Sequence, residues 1–207
     1  MAMMHVRFSL VTADPRVLAG CIEYLLDEAR PVVESQHGSL GLALLEEPGA
    51  VIFESFWATH EALLLSEKTE AVFRAELARR VKRPVKADDF QLAAFEREGR
   101  PGQAIRLMRI QVKPAGLADM VDVYGDTAVP WLADSPGFRE TLLLTDPADG
   151  QLISQTGWKD RAARAASPNV AEMIRSQALA DDDCQIRAAE DYRMVFESAR
   201  KPGPAWW

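Results

Sequence analysis

Four residues in the second half of the chain have side chains suited to holding a small aromatic molecule: Arg109, Tyr124, Trp131 and Arg139. An arginine near a packed sheet is costly to bury unless it is paired or faces a cavity with an anionic or phenolate group. Tyr124 can hydrogen-bond a ligand oxygen or relay its proton. We therefore interpret Tyr124 and Arg109 as candidate catalytic residues, and Trp131 and Arg139 as candidate ligand-binding residues. The alternatives are core packing for the aromatic residues and a solvent-facing position for Arg109.

Two tryptophans, Trp57 and Trp158, each close an apolar segment that is typical of a strand. We interpret both as candidate ligand-binding residues. The alternative is that each indole packs at the junction of sheet and helix, with its N–H bonded to the backbone.

The chain contains an internal repeat that places these residues. Residues 6–15 align with 105–114 at an offset of 99, and Gly38 aligns with Gly137 at the same offset. Trp57 and Trp158 correspond at an offset of 101. The motif at 88–92 aligns with 182–186 at an offset of 94. The pattern indicates a tandem duplication of one small unit.

Each copy is predicted to follow the order β-α-β-β-α-β, from its apolar periodicity and its Gly and Pro turns. In the first copy we expect strands at 6–11, 40–45, 51–57 and 90–95, and helices at 16–35 and 59–81. In the second we expect strands at 105–112, 139–144, 152–158 and 184–196, and helices at 117–132 and 170–180. The predicted apolar set of helix 59–81 is Ala62, Leu65, Val72, Phe73 and Leu77.

The predicted fold class is α+β, with two ferredoxin-like units packed sheet to sheet as an intramolecular dimeric α+β barrel. A four-stranded sheet with helices on one face leaves its other face bare, and a second copy can cover it. The units are predicted at 1–97 and 104–199, with a Gly- and Pro-rich linker at 98–103 and a tail at 200–207. The tail ends in Trp206 and Trp207, which either dock into a groove or are disordered.

Composition excludes several classes of function. The 207-residue chain has a formal charge of −7 and a pI near 5.1, which argues against nucleic acid and anionic membranes as partners. The sequence predicts neither a membrane span nor a signal peptide. Two cysteines cannot form a disulfide framework, so a cytoplasmic location is expected. The chain is expected to be a monomer or a homodimer. The histidines His5, His37 and His60 are not spaced as a metal site, and no nucleotide motif is present. No metal and no cofactor are predicted.

One segment, at 38–63, resembles the core of the antibiotic biosynthesis monooxygenase family; it reads GSLGLALLEEPGAVIFESFWATHEAL. The segment 136–159 is a weaker second match. The resemblance implies ferredoxin-like units that form a dimeric α+β barrel, here with both halves in one chain. It also implies one of two activities: oxidation of aromatic polyketides such as anthrones without metal or flavin, or haem degradation.

The chain departs from this family at two positions. Many members carry a histidine about nine residues after the strand-ending tryptophan, where this chain has Ser66 and Ser167, and the first strands lack the asparagine of the haem-degrading branch. The resemblance therefore favours a cofactor-independent monooxygenase acting on a hydrophobic aromatic small molecule. The alternatives are a non-catalytic small-molecule-binding or stress-associated barrel, and a haem-binding protein.

The two copies are predicted to be unequal, with the function in the second. The first copy has Leu10 and Leu40 at the positions of Arg109 and Arg139. Buried leucine fills space and stabilises by roughly 1.5–3 kcal/mol per side chain, whereas buried arginine requires a partner.

Overall fold

The structure is a computed structural model that describes residues 3–167 and 184–201. By internal contacts the chain divides into two units. The first is formed by Met1–Gln91 with Met194–Lys201, and the second mainly by Leu92–Arg193. The division after residue 91 lies within a strand, a few residues before the predicted linker at 98–103.

The first unit contains one antiparallel sheet and two helical regions. Its strands pair in the order β4-β1-β3-β2. In chain order its elements are β1 (His5–Thr12), α1 (Pro15–Tyr24), a π-helical segment (Leu25–Ala29), α2 (Arg30–Ser35), β2 (Ser39–Glu47), β3 (Ala50–Trp57), α3 (His60–Val81) and β4 (Lys86–Arg97).

The second unit repeats this order. Its strands pair as β8-β5-β7-β6, again antiparallel. Its elements are β5 (Ala104–Val112), a 3₁₀ turn (Pro114–Gly116), α4 (Leu117–Val123), a π-helical segment (Tyr124–Ala128), α5 (Val129–Ala133), β6 (Phe138–Asp146), β7 (Gln151–Trp158), α6 (Arg161–Ala166) and β8 (Cys184–Glu197).

The predicted α+β fold class, with eight antiparallel strands and helices, is confirmed. The helix predicted at 170–180 and the tryptophans of the tail lie outside the described residues. Within the described chain, each helix is too short or too polar to cross a bilayer.

The helices predicted at 16–35 and 117–132, the first of each unit, both contain a π-helical turn that apolar spacing did not predict. The N–H of Arg30 bonds to the carbonyl of Leu25, and the N–H of Val129 bonds to that of Tyr124, in each case across five residues. A proline follows each turn by two residues, and proline cannot donate a backbone hydrogen bond. The wider turn inserts one extra residue into the helix, so every later side chain is rotated by roughly 100° relative to a regular α-helix.

Two glycines set the distance between the helical region and the next helix in each unit. Gly38 (φ 78°) and Gly137 (φ 83°) have positive φ values. A Cβ atom at Gly38 would lie 2.5 Å from the Cβ of Ala62, and one at Gly137 would lie 2.6 Å from that of Ala163. Only glycine combines this backbone conformation with such a close approach.

The pairing of the last strand in each unit corrects the predicted alignment of the two copies. Arg7 is paired with Asp89, and Arg106 is paired with Asp191. Asp191 follows Asp89 by 102 residues, so the predicted offset of 94 for the last strand is wrong. The two alignments differ by eight residues at Asp191. A β-bulge then interrupts β8, because Ala188 pairs with Arg109 whereas Ile186 pairs with Ile110. Apolar alternation does not run unbroken through such a bulge, so it could not fix the alignment.

Helix α3 begins as predicted but buries a narrower face. The hydroxyl of Thr59 accepts the N–H of Ala62 at 3.1 Å, which caps the helix. The buried residues are Ala62, Leu63, Ser66, Glu70, Phe73 and Leu77. Leu65 and Val72, predicted to be in the core, are 71% and 63% exposed. They lie on the opposite side of the helix from the buried stripe.

Candidate functional site

A row of polar side chains crosses the sheet of the second unit on the side that faces its helices. Thr141 of β6 pairs with Thr156 of β7, Thr156 pairs with Arg106 of β5, and Arg106 pairs with Asp191 of β8. Directly paired residues of neighbouring antiparallel strands have their side chains on the same face, about 5 Å apart. Four polar groups therefore lie side by side next to an apolar core.

The helical region adds a buried phenol to this row. Tyr124, in the π-helical segment, is 1% exposed. Its hydroxyl lies 2.6 Å from Oγ1 of Thr141 and 2.7 Å from Oγ of Ser154. Thr141 Oγ1 lies 3.4 Å from Thr156 Oγ1. We call these four residues the hydroxyl cluster: Tyr124, Thr141, Ser154 and Thr156.

Burial raises the pKa of the Tyr124 phenol, against the smaller opposing effect of its hydrogen bonds to the hydroxyl cluster. The phenol therefore stays protonated at neutral pH. A neutral hydroxyl with two hydroxyl neighbours can donate a hydrogen bond or pass a proton along a chain. It cannot serve as an ionised base.

Trp158 ends β7 beside the hydroxyl cluster. It is buried in the helix-facing core, and its ring meets Phe138 edge to face at 6.0 Å. Its indole N–H has no hydrogen-bond acceptor among the described residues. A buried N–H without an acceptor costs about 1–3 kcal/mol, so this donor favours a ligand with an oxygen acceptor.

The corresponding tryptophan of the first unit is satisfied internally. Trp57 is fully buried, and its indole N–H donates to Oγ of Ser55 at 2.9 Å. This matches the core-packing alternative for Trp57 rather than a ligand-binding position.

The hydroxyl cluster is replaced by apolar residues at three of its four positions in the first unit. The strand pairings give the replacements as Leu25 for Tyr124, Leu42 for Thr141, Phe53 for Ser154 and Ser55 for Thr156. The leucines and the phenylalanine are buried in a continuous apolar core. The two units therefore differ in side chains at these positions, while the predicted inequality of their function stays a prediction.

The first unit instead holds a buried charged group around Arg7, which is 2% exposed. Its Nε and Nη2 donate to the two carboxylate oxygens of Asp89 at 2.7 and 2.9 Å, and its Nη1 donates to Oγ of Ser66 at 3.1 Å. An oxygen of Glu67 lies 2.9 Å from Nη1, and one of Glu70 lies 4.0 Å from it. One buried guanidinium therefore organises three carboxylates.

Glu70 is the most buried of these carboxylates. It is 1% exposed and accepts a hydrogen bond from Oγ of Ser55 at 2.7 Å. Burial raises its pKa above the ordinary value of 4.5, because the effects of Ser55 and Arg7 only partly offset desolvation. The folded chain therefore holds this proton at pH values where the unfolded chain has lost it.

This difference predicts a pH dependence of stability. The contribution of Glu70 to the free energy of unfolding falls as pH rises from about 4.5 through the folded pKa. Glu70→Gln keeps the acceptor for Ser55 but cannot titrate. We expect the wild type to gain stability relative to this variant as pH is lowered from 7 to 5, measured by urea unfolding. The exposed control Glu23→Gln should show no such trend, and a constant difference for Glu70→Gln would contradict the assignment.

In the second unit the corresponding arginine again faces an aspartate, but the numbers of arginines and carboxylates around this pair differ. Arg106 donates to Asp191 at 3.1 Å and to Ser167 at 3.2 Å. Arg164 lies 3.2 Å from the same Asp191, and its Nη1 donates to two backbone carbonyls. Two arginines share one described carboxylate here, whereas in the first unit three carboxylates surround one arginine.

The structure brings Tyr124 and Trp158 together but separates Trp131 from them. Trp131 lies seven residues after Tyr124, a spacing that would place both side chains on one face of a regular α-helix. The π-helical turn lies between them and rotates Trp131 outward, leaving it 39% exposed. The ligand-binding role of Trp131 stays a prediction.

The two predicted arginines differ in where they lie on the sheet. Met108 and Ile110 pack in the helix-facing core, so Arg109 between them points to the opposite face, where it lies 3.3 Å from Glu190. Arg139 is the extra residue of a β-bulge, and its Nη1 donates to the carbonyl of Phe138. The predicted place of Arg109 in the space between sheet and helices is therefore wrong, and the role of Arg139 stays a prediction.

Sequence reasoning missed Thr141, Ser154, Thr156 and Arg106. Threonine and serine are ordinary strand residues and carry little signal alone. The signal available was the comparison of the two copies, since leucine and phenylalanine replace three of the four hydroxyls.

The described residues include no group arranged as a metal site, and serines stand at the two positions where the resemblance would place a haem-ligating histidine. No group of three His, Cys, Asp or Glu side chains in 3–167 and 184–201 is placed to hold an ion. Ser66 and Ser167 stand where the haem-degrading branch has its histidine. Their hydroxyls donate to the carbonyls of Leu63 and Arg164. Serine is a poor iron ligand, and these hydroxyls are already bonded.

Comparison with known proteins supports the fold. No family model and no curated protein sequence matches the chain. A candidate monooxygenase from Fusobacterium nucleatum superposes with a TM-score of 0.73 and 12% identity, covering 99% of this chain and 98% of that one. An anthrone oxidase-like protein superposes with a TM-score of 0.69 and 18% identity, covering 100% and 98%. The chain has the fold of these proteins.

Proteins of other function share this fold. A heme-degrading enzyme from Listeria monocytogenes superposes with a TM-score of 0.50 and 9% identity, covering 90% of this chain and 98% of that one. The fold alone therefore does not select one chemistry, and the choice must come from the site.

Proposed function

We propose that the second unit binds a hydrophobic aromatic molecule on the helix-facing side of its sheet and oxygenates it without a metal or organic cofactor. The observation that carries the proposal is the hydroxyl cluster. It is buried beside the unpaired N–H of Trp158, and the first unit has leucine or phenylalanine at three of its four positions. The similar fold of an anthrone oxidase-like protein supports the choice of an anthrone-type substrate.

Oxygenation of such a substrate requires only a few groups from the protein. An anthrone-type substrate loses a proton from its central methylene to solvent, relayed through the hydroxyl cluster, and the resulting carbanion passes electrons to oxygen. In the net reaction the CH₂ group and O₂ give a carbonyl and one water, so the carbon is oxidised and oxygen is reduced. The indole N–H of Trp158 would stabilise the charge that develops on the substrate oxygen. The hydroxyl cluster would pass protons, and the apolar core would exclude water.

A tandem origin of the two units is part of this proposal. Their π-helical segments, at Leu25–Ala29 and Tyr124–Ala128, lie 99 residues apart, the same offset as the first strands. Duplicated units begin with equal sites, and only one must stay functional. The apolar replacements in the first unit support loss of its site.

Binding without catalysis is the second candidate function. The raised pKa of Tyr124 favours it, because the hydroxyl cluster then contains no ionised base to take the first proton. The same contacts would still hold an aromatic ligand through Trp158.

Oxygen uptake separates the two candidates. Metal-depleted protein is mixed with an anthrone-type substrate in an oxygen electrode, and we expect consumption of about one O₂ per substrate, faster than without protein. Tight binding measured by tryptophan fluorescence, with no oxygen uptake, would support the second candidate. Neither binding nor uptake would contradict both.

A further inference from the structure

Helix α3 carries an exposed seam with the spacing of a coiled coil. Its 22 residues span about 33 Å, at 1.5 Å per residue. Exposed residues recur along it at alternating intervals of four and three, the spacing that keeps side chains in line with a partner helix. We call this row the α3 seam: Glu61, Leu65, Lys68, Val72, Ala75 and Arg79.

The α3 seam is not explained by packing within its own unit. The buried stripe of α3 lies on the other side of the helix and already covers the sheet. Leu65 and Val72 are 71% and 63% exposed, and Leu64 beside them is also exposed. Three large aliphatic side chains on one exposed helix surface are characteristic of an interaction site.

We propose that the α3 seam binds the α3 seam of a second copy of this chain, with the two helices antiparallel. In that arrangement Glu61 faces Arg79 of the partner, Leu65 faces Ala75 and Lys68 faces Val72, and all three pairs are centred on position 70. A two-fold axis through that position repeats each pair, as an isologous dimer requires.

The charges and the sizes of the seam residues both favour an antiparallel second copy as the partner. The negative end of the seam meets the positive end of the partner twice, because Glu61 lies in the first turn and Arg79 in the last. The large Leu65 meets the small Ala75, and Lys68 can lay its aliphatic stem along Val72 while its ammonium reaches water. A parallel arrangement would instead place Glu61, Lys68 and Arg79 each against its own like charge.

Arg79 can bind Glu61 of the partner while keeping its own hydrogen bonds. Its Nε and Nη2 donate to the carboxylate of Glu76 on the same helix at 2.8 and 2.7 Å, and its side chain is 72% exposed. A guanidinium has five N–H groups, so donors remain for a carboxylate from the partner. The interface of two such helices is small, which indicates a dissociation constant on the order of micromolar.

The test is the mass of the full chain in solution, by sedimentation from about 1 to about 200 µM. We expect a shift from 23.0 kDa towards twice that mass as concentration rises. Leu65→Glu and Val72→Glu should each weaken the dimer by about tenfold or more, since a charge would enter its apolar centre. Val17→Glu, which changes an exposed valine on α1, should leave it unchanged.

A charge exchange makes the test specific to the antiparallel pairing. Glu61→Arg and Arg79→Glu should each weaken the dimer about tenfold, because each places like charges at both ends. The double variant Glu61→Arg/Arg79→Glu should restore it, since each helix again offers opposite ends. Circular dichroism confirms that the variants fold. A chain that stays monomeric at about 200 µM, or a double variant as weak as the single ones, would overturn the proposal.

Discussion

Replacing Arg7 by methionine should destabilise the protein by about 3–5 kcal/mol, the largest single effect on stability that we expect. Methionine fills similar space but removes the charge. Asp89 and the almost fully buried Glu70 would then lose their common partner, and Ser66 would lose its donor. Removing one member of a buried ionic group costs this much because the remaining charge has already given up its water.

The matched control is Arg106→Met at the corresponding position of the second unit. Arg106 also lies opposite an aspartate and beside a serine, but 29% of its side chain is exposed. Its loss should cost about 1 kcal/mol, because solvent screens the pair. Urea unfolding at pH 7 measures both variants. Equal losses for the two arginines would show that burial does not set the energy of this group.

Glu70, which loses its arginine partner in Arg7→Met, allows a second test of this explanation. Adding Glu70→Gln to Arg7→Met removes the most buried unpaired charge while keeping the acceptor for Ser55. We expect the double variant to recover part of the lost stability. No recovery would mean that lost packing around Arg7, and not an unpaired carboxylate, explains the single variant.

The strands and their order were predictable, because β-branched residues, alternation and turn residues specify them locally. The strands predicted at 40–45 and 51–57 correspond to β2 and β3, and α3 starts one residue after its predicted start. The π-helical turns were not predictable from apolar spacing, since an extra residue in a helix changes that spacing by too little to be noticed. That single residue moved Trp131 to the surface.

The predicted face of Arg109 was wrong for a different reason. Strand β5 carries arginines at 106 and 109, three residues apart, so they must lie on opposite faces. Apolar residues stand on both faces of this strand and are buried on both, for example Leu107 and Met108. Alternation therefore could not say which arginine faces the helices. Tertiary packing assigns that place to Arg106.

Tyr124→Phe should lower turnover of an anthrone-type substrate on the order of a hundredfold while the protein stays folded. The variant keeps the ring and removes the hydroxyl that joins Thr141 to Ser154. Two buried hydroxyls then lose a partner, which should also cost about 1–2 kcal/mol of stability.

Tyr24→Phe is the control, because Tyr24 is a buried tyrosine of the first unit, one residue before its π-helical segment, and its ring lies under the guanidinium of Arg80 at 4.5 Å. This change should leave turnover unaltered. If Tyr124→Phe matches the wild type in oxygen uptake and in ligand affinity, the hydroxyl cluster is structural. If affinity falls and the wild type shows no uptake, the cluster binds a ligand without oxidising it. Loss of uptake at unchanged affinity is the result that assigns Tyr124 to proton transfer, since the phenol then acts after binding.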